Sequence, residues 1–214
     1  KGYAIMTHIP AGITKPEDLE RIAAIGKKFH IPIMKITSGQ RIILAGIAEE
    51  DVPKVFAELG PLARSEAKPG VKFVQACLGT EMCRYGSQDS IALAGEIEKR
   101  LFNKEFPAKV KIGVSGCQRC CSESQLRDVG IIGTTRGWMV FFGGNGGTKP
   151  RIGDFIAAGL SSDEAVDSTV RLLEYYRDQA QPRERTARFM ERKGIEAIKR
   201  ELLSFIPYIP LEKV

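Results

Sequence analysis

The feature that most constrains this chain is a pair of cysteine clusters, which together contain all five of its cysteines. Cys77 and Cys83 form the first cluster, with five residues between them, and Cys117, Cys120 and Cys121 form the second. Four thiolates supplied by two loops are a common way to hold an iron–sulfur cluster or a closed zinc site. Structural zinc prefers two short C-x-x-C pairs, and the wide first pair fits that pattern poorly. The spacing therefore indicates a metal or cluster site and leaves its type open.

The sequence around the cysteines resembles that of the siroheme and [4Fe-4S] sulfite and nitrite reductases. The resemblance rests on C-x5-C followed by C-x3-C, and on the words CRYG at 83–86, SGCQRCCSES at 115–124 and GGNGG at 143–147. It is strongest to the siroheme part of assimilatory nitrite reductases and to small stand-alone siroheme sulfite reductases, and it covers nearly the whole chain. One position departs from the family pattern, because Gln118 stands where the family usually has proline.

The resemblance implies a [4Fe-4S] cluster and a siroheme. It selects Cys77, Cys83, Cys117 and Cys121 as the cluster ligands, and it gives Cys121 a second role as the bridge to the siroheme iron. Spacing alone would also allow Cys117 and Cys120 as the second pair. Otherwise Cys120 lies beside the cluster and affects its potential without binding iron.

The resemblance also implies the residues that face a small oxyanion substrate. The segment 106–111 resembles a family segment with two substrate-facing lysines, which assigns that role to Lys109 and Lys111. The segment 37–41 resembles the family word Thr-x-Arg-Gln and adds Arg41, although here Gly39 holds the arginine's usual place. Fixed positive charge binds an anion, and a partly desolvated lysine can protonate a departing oxygen. The alternative for the lysines is a solvent-facing strand.

Further residues are implied as siroheme contacts. Arg84 follows a ligand cysteine and would bind a siroheme carboxylate or a cluster sulfur. Gly144, Asn145 and Gly146 belong to a glycine-rich loop whose backbone can approach a flat ligand closely. The alternative for this loop is a flexible turn. A phosphate-binding loop is disfavoured, because no Lys-Ser/Thr follows at the required place.

The predicted fold class is α+β, and the resemblance implies a ferredoxin-like half-domain at residues 1–66 and a siroheme and [4Fe-4S]-binding α+β domain with a helical C-terminal part at 67–214. The predicted order of elements in the first part is β-α-β-β-α, with strands at 3–8, 31–36 and 41–44. Thr14 and Glu17 predict a capping box for its first helix. Gly60-Pro61 and Lys68-Pro69-Gly70 mark the boundary.

In the second part, strands at 71–76 and 109–115 each run directly into a cysteine loop. A helix is predicted at 87–103, and its positive N-terminal end would face the cluster. Strands at 129–133 and 138–142 form an antiparallel pair. Ser161 and Glu164 predict a capping box for a long helix. Helices at 184–193 and 195–205 follow, with an extended tail at 206–210.

Composition excludes some classes of function. Apolar content of 43% and charged content of 27% are those of an ordinary globular protein, and no apolar run is long enough for a membrane span. An odd number of clustered cysteines argues against disulfides and for a reducing cytoplasm. The net charge of +6 suggests an acidic partner, but no basic stripe with interleaved aromatic residues predicts nucleic-acid binding. A zinc-stabilised nucleic-acid-binding module is the rival from that class.

The predicted function is the six-electron reduction of sulfite to sulfide or of nitrite to ammonia. The alternative is a non-catalytic siroheme and iron–sulfur electron-transfer protein. Because no G-x-G-x-x-G fingerprint is present, electrons are expected from an external one-electron donor, such as a ferredoxin-like protein or a reductase subunit. A homodimer is expected, because a half-domain leaves sheet edges unpaired.

Overall fold

The computed structural model describes residues 2–64 and 68–202. The chain divides into two compact units, Lys1–Lys68 and Pro69–Val214. The boundary predicted between residues 66 and 67 lies outside the described residues, as does the tail predicted at 206–210. None of the helices within the described ranges is both long and apolar enough to cross a bilayer.

The first unit has the predicted order β-α-β-β-α. Its elements are β1 (Tyr3–Met6), α1 (Pro16–Lys28), β2 (Ile33–Ile36), β3 (Ile42–Ile47) and α2 (Val52–Leu59). The strands form an antiparallel sheet in the order β1-β3-β2. Its core consists of fully or nearly fully buried aliphatic side chains from the sheet and both helices, among them Ile22, Leu44, Ile47, Val55 and Leu59.

The predicted capping box of α1 is wrong. The helix begins at Pro16, its N-cap residue is Lys15, and no side chain caps it. Proline suits the first helical position, because its missing N–H would have no partner there and its φ is already helical. Glu17 therefore lies in the first turn, where its charge favours the positive end of the helix.

Strand β2 is an exposed edge. All four of its residues are exposed, including Ile33 at 55%, Met34 at 44% and Ile36 at 78%. In the described part of the chain it pairs only with β3. An apolar strand with a free edge is a surface on which another strand can pair.

The second unit contains a five-stranded sheet flanked by helices. Its elements are β4 (Val71–Ala76), α3 (Gly79–Met82), α4 (Ser90–Leu101), β5 (Val110–Ser115), β6 (Val129–Thr134), β7 (Gly137–Phe142), β8 (Asp154–Leu160), α5 (Ser162–Gln179), α6 (Thr186–Lys193) and α7 (Ile195–Leu202). The strand order is β4-β5-β6-β7-β8, and β4, β5 and β6 are parallel to one another. Strands β7 and β8 are antiparallel to their neighbours. The capping box of Ser161 and Glu164 at the start of α5 is present as predicted.

The strand directions define two edges of this sheet. Strands β4 and β5 end at the same edge, here called the carboxyl edge, and both continue into cysteine loops. At the opposite edge, here called the amino edge, β5 and β6 begin and β7 ends, since Val129 pairs with Phe142. The segment between the second cysteine loop and β6 must therefore return from the carboxyl edge to the amino edge.

The two faces of the sheet differ in character. Val110, Ile112 and Val114 are fully buried on the face that α4 and α5 cover. Because side chains alternate along a strand, Lys111 and Ser115 lie on the other face. The returning segment packs on that face through a short 3₁₀ turn at Ser124–Leu126.

Candidate functional site

The first cysteine loop is pressed against the start of α4. Its short helix α3 lies between Cys77 and Cys83, and the Cys83 N–H donates to the Gly79 carbonyl at 3.0 Å. Gly79 has φ +55°, and a Cβ atom there would lie 2.6 Å from Ser90 Oγ and 2.7 Å from the Gln88 carbonyl oxygen. Only glycine fits this position without displacing α4.

The second cysteine loop is held against the first by backbone contacts. The Gly116 carbonyl accepts the N–H groups of Ser87 at 2.8 Å and Gln88 at 3.0 Å. A Cβ atom on Gly116 would lie 2.7 Å from both Gly79 Cα and the Gln88 carbonyl oxygen. Two glycines therefore allow the loops to touch, which brings both cysteine clusters to the carboxyl edge.

The Cys77 sulfur already receives a backbone hydrogen bond from this arrangement. The Gly116 N–H donates to Cys77 Sγ at 3.1 Å, and Ser90 Oγ lies 3.3 Å from the same sulfur. Amide donors stabilise a thiolate and adjust the potential of a cluster that it binds. A backbone N–H of the second loop thus stabilises the Cys77 sulfur of the first loop.

The adjacent cysteines Cys120 and Cys121 face different environments. Cys120 has φ +56° and packs against a buried apolar group made of Ile132, Met139, Phe141 and Ala158. Cys121 is exposed. The next residue is fixed, because the Ser122 N–H donates to Ser115 Oγ at 3.1 Å. With this left-handed backbone, the Cys120 thiol packs against the apolar group and the Cys121 thiol faces solvent.

Within residues 2–64 and 68–202, no three His, Cys, Asp or Glu side chains lie close enough together to hold one metal ion. A [4Fe-4S] cluster makes a different demand, because its four cysteines bind four different iron atoms. All five cysteines are free thiols. The ligand set named from the sequence stays a prediction.

Each cysteine loop contributes an arginine to the ring of Tyr85. Arg84 donates to the Tyr85 hydroxyl at 2.5 Å, and its guanidinium carbon lies 4.6 Å from the ring centroid. The guanidinium carbon of Arg119 lies 3.9 Å from the same centroid. Both arginines are exposed. Two cations beside the cysteines form a surface suited to carboxylates. Sequence reasoning missed Arg119, since nothing local to it predicts its contact with Tyr85.

The predicted lysines lie at the amino edge. Lys109 is exposed, whereas Lys111 is half-buried with its amine 5.9 Å from the centroid of the Phe73 ring. Burial lowers the pKa of the Lys111 amine, and the nearby cations Lys109, Arg127 and Arg185 lower it further. The Asp128 carboxylate opposes this shift. Lys111 thus has the partly desolvated amine expected of a proton donor.

Arg127 is a buried cation that sequence reasoning missed. Its side chain is only 7% exposed, and it donates to Gln75 at 2.7 Å and to Glu123 at 2.8 Å. Its guanidinium carbon lies 5.4 Å from the centroid of the same Phe73 ring. The one feature of the sequence that could have pointed to Arg127 is its position in the segment between the second cysteine loop and β6.

The lysines and the second cysteine loop lie at opposite ends of β5. Lys111 and Ser115 are four residues apart, which corresponds to about 13 Å along a strand. Arg41 belongs to the first unit, where it is buried and where its backbone N–H and carbonyl both bond to the Thr37 hydroxyl. The structure therefore groups the cysteines with Arg84, and Lys109 with Lys111.

The glycine-rich loop lies at the amino edge as well. Gly144 is buried, and a Cβ atom there would meet the carbonyl oxygens of Arg127 at 2.4 Å and Gln125 at 2.6 Å. Packing against the protein thus explains its lack of a side chain. Asn145 closes the loop by donating to the Lys149 carbonyl at 2.7 Å, whereas a Cβ atom on Gly146 would make only ordinary van der Waals contact, 3.8 Å from Leu126 Cβ.

A basic cleft of about 1010 Å³ opens between this loop and the start of α6. Its lining includes five cationic side chains, namely Lys149, Arg183, Arg185, Arg188 and Arg192. Two of the five are paired, because Arg185 bonds to Asp128 and Arg192 to Glu184. The sequence shows these arginines only as a charged stretch without periodicity, so the cleft could not be predicted from it.

Comparison with known proteins decides the family. The family described as "Nitrite and sulphite reductase 4Fe-4S domain" matches residues 68–205, and the "Nitrite/Sulfite reductase ferredoxin-like half domain" matches residues 1–62. The chain belongs to the nitrite and sulfite reductase family. It is thus homologous to oxidoreductases, and the α+β fold with a ferredoxin-like half-domain is confirmed.

Two relatives within the family differ in length. An assimilatory-type sulfite reductase of Nitratidesulfovibrio vulgaris is 45% identical over 201 residues, which are 94% of this chain and 92% of that protein. A nitrite reductase [NAD(P)H] of Bacillus subtilis is 38% identical over 197 residues, which are 92% of this chain but 24% of that protein. The chain thus spans nearly all of the first relative and about a quarter of the second.

A solved structure of dissimilatory sulfite reductase I shares the fold, with a TM-score of 0.86 over 100% of this chain and 71% of that chain. Its sequence is 15% identical. This likeness therefore supports the fold alone.

Proposed function

We propose that the protein reduces sulfite to sulfide at a siroheme bridged to a [4Fe-4S] cluster. The observation that carries this proposal is the 45% identity to an assimilatory-type sulfite reductase, because that match runs nearly the full length of both chains. Reduction of nitrite to ammonia is the second candidate, favoured by the 38% identity to a nitrite reductase that is much longer than this chain.

The cysteine loops fit a cluster bound by Cys77, Cys83, Cys117 and Cys121. The loops come from two parallel strands that end side by side, and glycine contacts hold them together. Exposure of Cys121, and packing of the partly buried Cys120 against apolar side chains, support Cys121 as the fourth ligand and as the bridge to siroheme. When bound, the siroheme supplies an iron for the anion and the cluster supplies electrons one at a time.

The chemistry requires protons as well as electrons. Sulfur passes from oxidation state +4 in sulfite to −2 in sulfide, so six electrons are added, and three oxygens leave as water with six protons. Lys109 and Lys111 are the proposed anion-binding cations, and Lys111 is the proposed proton donor, since the lowered pKa of its amine makes proton release easier. Arg41 is the proposed third cation, from the first unit.

Several polar groups are proposed to bind siroheme carboxylates. Arg84 and Arg119 project from the cysteine loops themselves and share the ring of Tyr85. Asn145 and Gly146 are the proposed loop contacts, and Gly144 seats that loop against the segment around Arg127.

The proposed partners are the substrate anion, an external one-electron donor and a second copy of the chain. A donor such as a ferredoxin-like protein or a reductase subunit would deliver electrons to the cluster, and a cytoplasmic location would keep the thiolates reduced. Homodimerisation is supported by the exposed edge of β2. Sedimentation at micromolar concentration tests the dimer: a single species near 23.6 kDa would contradict it.

The decisive experiment is anaerobic purification followed by iron, sulfide and visible-spectrum analysis, and then by assays with a reduced dye as donor. We expect siroheme and cluster absorption, and a higher kcat/KM for sulfite than for nitrite. A colourless zinc protein would contradict the proposal. A fully loaded protein that consumes neither anion would instead support the electron-transfer alternative.

A further inference from the structure

Asp128 is a buried carboxylate at the amino edge. It directly precedes β6, and its side chain is 1% exposed. A buried carboxylate is costly unless donors and an opposite charge surround it. Its partners therefore show what the fold uses it for.

The Asp128 carboxylate joins two distant segments. It accepts the backbone N–H of Lys111 at 2.8 Å, and Arg185 Nη2 lies 3.0 and 2.9 Å from its two oxygens. The Thr186 hydroxyl donates a fourth, short hydrogen bond to it. The carboxylate thus connects β5, which carries Lys111, with the first residue of α6, which lies 58 positions after Asp128.

The bond to Lys111 extends the sheet where its ladder stops. The pairing of β5 with β6 begins at Ile112 and Val129, so the Lys111 N–H has no β6 residue opposite it. The Asp128 side chain takes that place, while its backbone carbonyl accepts the N–H of Gly143 at 2.9 Å. Because a one-residue slip reverses the face of every side chain, an anchor at this position keeps Lys111 on its face.

The charges around the Lys111 amine are mostly positive. Lys109 directly precedes β5, Arg127 comes from the segment before β6 and Arg185 from the residue before α6, and all three lower the pKa of the amine. Arg127 is paired with Glu123. Asp128 is the carboxylate that raises the pKa of the amine against these cations.

We propose that Asp128 is a positioning residue for Lys111: its buried carboxylate fixes the Lys111 backbone and balances the cations that surround the Lys111 amine. This inference rests on the proposed role of Lys111 as proton donor. Asp128 touches no substrate, and it acts only through the position and the protonation of that lysine.

The test is a direct titration of the Lys111 amine in the cofactor-loaded protein. Lysines are reductively methylated with ¹³C under anaerobic conditions, and the Lys111 signal is assigned by its absence in Lys111→Met. In Asp128→Asn, loss of the negative charge should move the titration midpoint down by about half a pH unit or more. In Arg185→Met, loss of a cation should move it up. A purely structural role would not produce shifts of opposite sign.

A matched control removes another carboxylate from the same edge. Asp154 is partly exposed and pairs with Arg151, so Asp154→Asn should leave the Lys111 midpoint unchanged. An unchanged midpoint in Asp128→Asn, or a downward shift in both test variants, overturns the inference. If Asp128→Asn does not fold, Arg185→Met decides alone, and failure of the midpoint to rise overturns it.

Turnover separates this inference from the proposed function. If Lys111 donates protons, the basic limb of the kcat profile should move to lower pH in Asp128→Asn, in step with the amine. Full turnover in Lys111→Met would remove Lys111 from the proposed reaction, while the amine titration would still decide what Asp128 does.

Discussion

The two edges of the five-stranded sheet are built by different interactions. At the carboxyl edge, glycines let the cysteine loops touch through their backbones, and the arginines there are exposed. At the amino edge, the buried charges of Asp128 and Arg127 are both paired, and both act on a half-buried lysine. Steric fit can hold a rigid multi-atom group, whereas a proton donor needs charges that set its pKa. The predictions below separate these two kinds of construction.

The largest effect is expected from the choice between adjacent cysteines. Cys121→Ser should lose the cluster and all turnover, because it removes the proposed fourth ligand. Cys120→Ser, the matched control, should keep its iron and acid-labile sulfide, since Cys120 packs among apolar side chains. Iron and sulfide analysis decides the matter, and the reverse pattern would show that Cys120 is the ligand.

Turnover should next depend strongly on the amino edge. Lys111→Met keeps much of the apolar stem and removes the amine, so turnover should fall about 10²-fold or more, with the cofactor spectrum unchanged. Lys109→Met removes the charge of the exposed neighbouring lysine. Its KM, compared with that of the wild type, reports how much this charge contributes to anion binding. An unaltered kcat in both variants would mean that these lysines only face solvent.

Steric construction of the carboxyl edge predicts sensitivity to a single methyl group. Gly116→Ala places a Cβ atom 2.7 Å from two backbone atoms and should destabilise the protein by about 1–3 kcal/mol while lowering iron content. Gly95→Ala is the control, because nothing lies within 4 Å of a Cβ atom on this exposed helical residue. It should stabilise α4 by about 0.5–1 kcal/mol. Equal iron content in the two variants would contradict the steric account.

The smallest expected effect concerns the capping box that starts α5. The Ser161 N–H and side chain lower the pKa of Glu164, so its carboxylate stabilises the fold above the pKa that it has when unfolded. That contribution is lost as the pH falls through the lowered, folded-state pKa. Ser161→Ala should cost about 1 kcal/mol at neutral pH and less in acid, as measured by urea unfolding. Ser161→Asp retains a capping oxygen and should behave like the wild type.

Local patterns were enough to predict much of the fold. Strand β4 has the bounds predicted for it, 71–76, because its apolar residues end at clear breaks. Strand β8 was missed, since its Ala-Ala-Gly stretch has weak strand character. Helix α1 was given the wrong cap, because the preference of Pro16 for the first turn outweighs a hydroxyl two residues earlier.

The candidate site was only partly visible in the sequence. Spacing could not separate Cys120 from Cys121, because the left-handed backbone that turns them apart has no local signal. The bond between Asp128 and Arg185 joins residues 57 positions apart and leaves no periodicity in the sequence. Motifs therefore located the cysteines and lysines. The contacts that orient these side chains and set the pKa of Lys111 depend on the tertiary fold and could not be predicted.

The exposure of Cys121 bears on the order in which such a protein is assembled. A solvent-accessible thiol is the one that peroxide or a second thiol reaches first, and a sulfenic acid or mixed disulfide cannot bind iron. Cys120 is only partly exposed and packs against apolar side chains, so the same reagents reach it less readily. Cofactor insertion is therefore in competition with oxidation at one sulfur, and air reaching the apoprotein before iron does would leave a folded chain unable to mature.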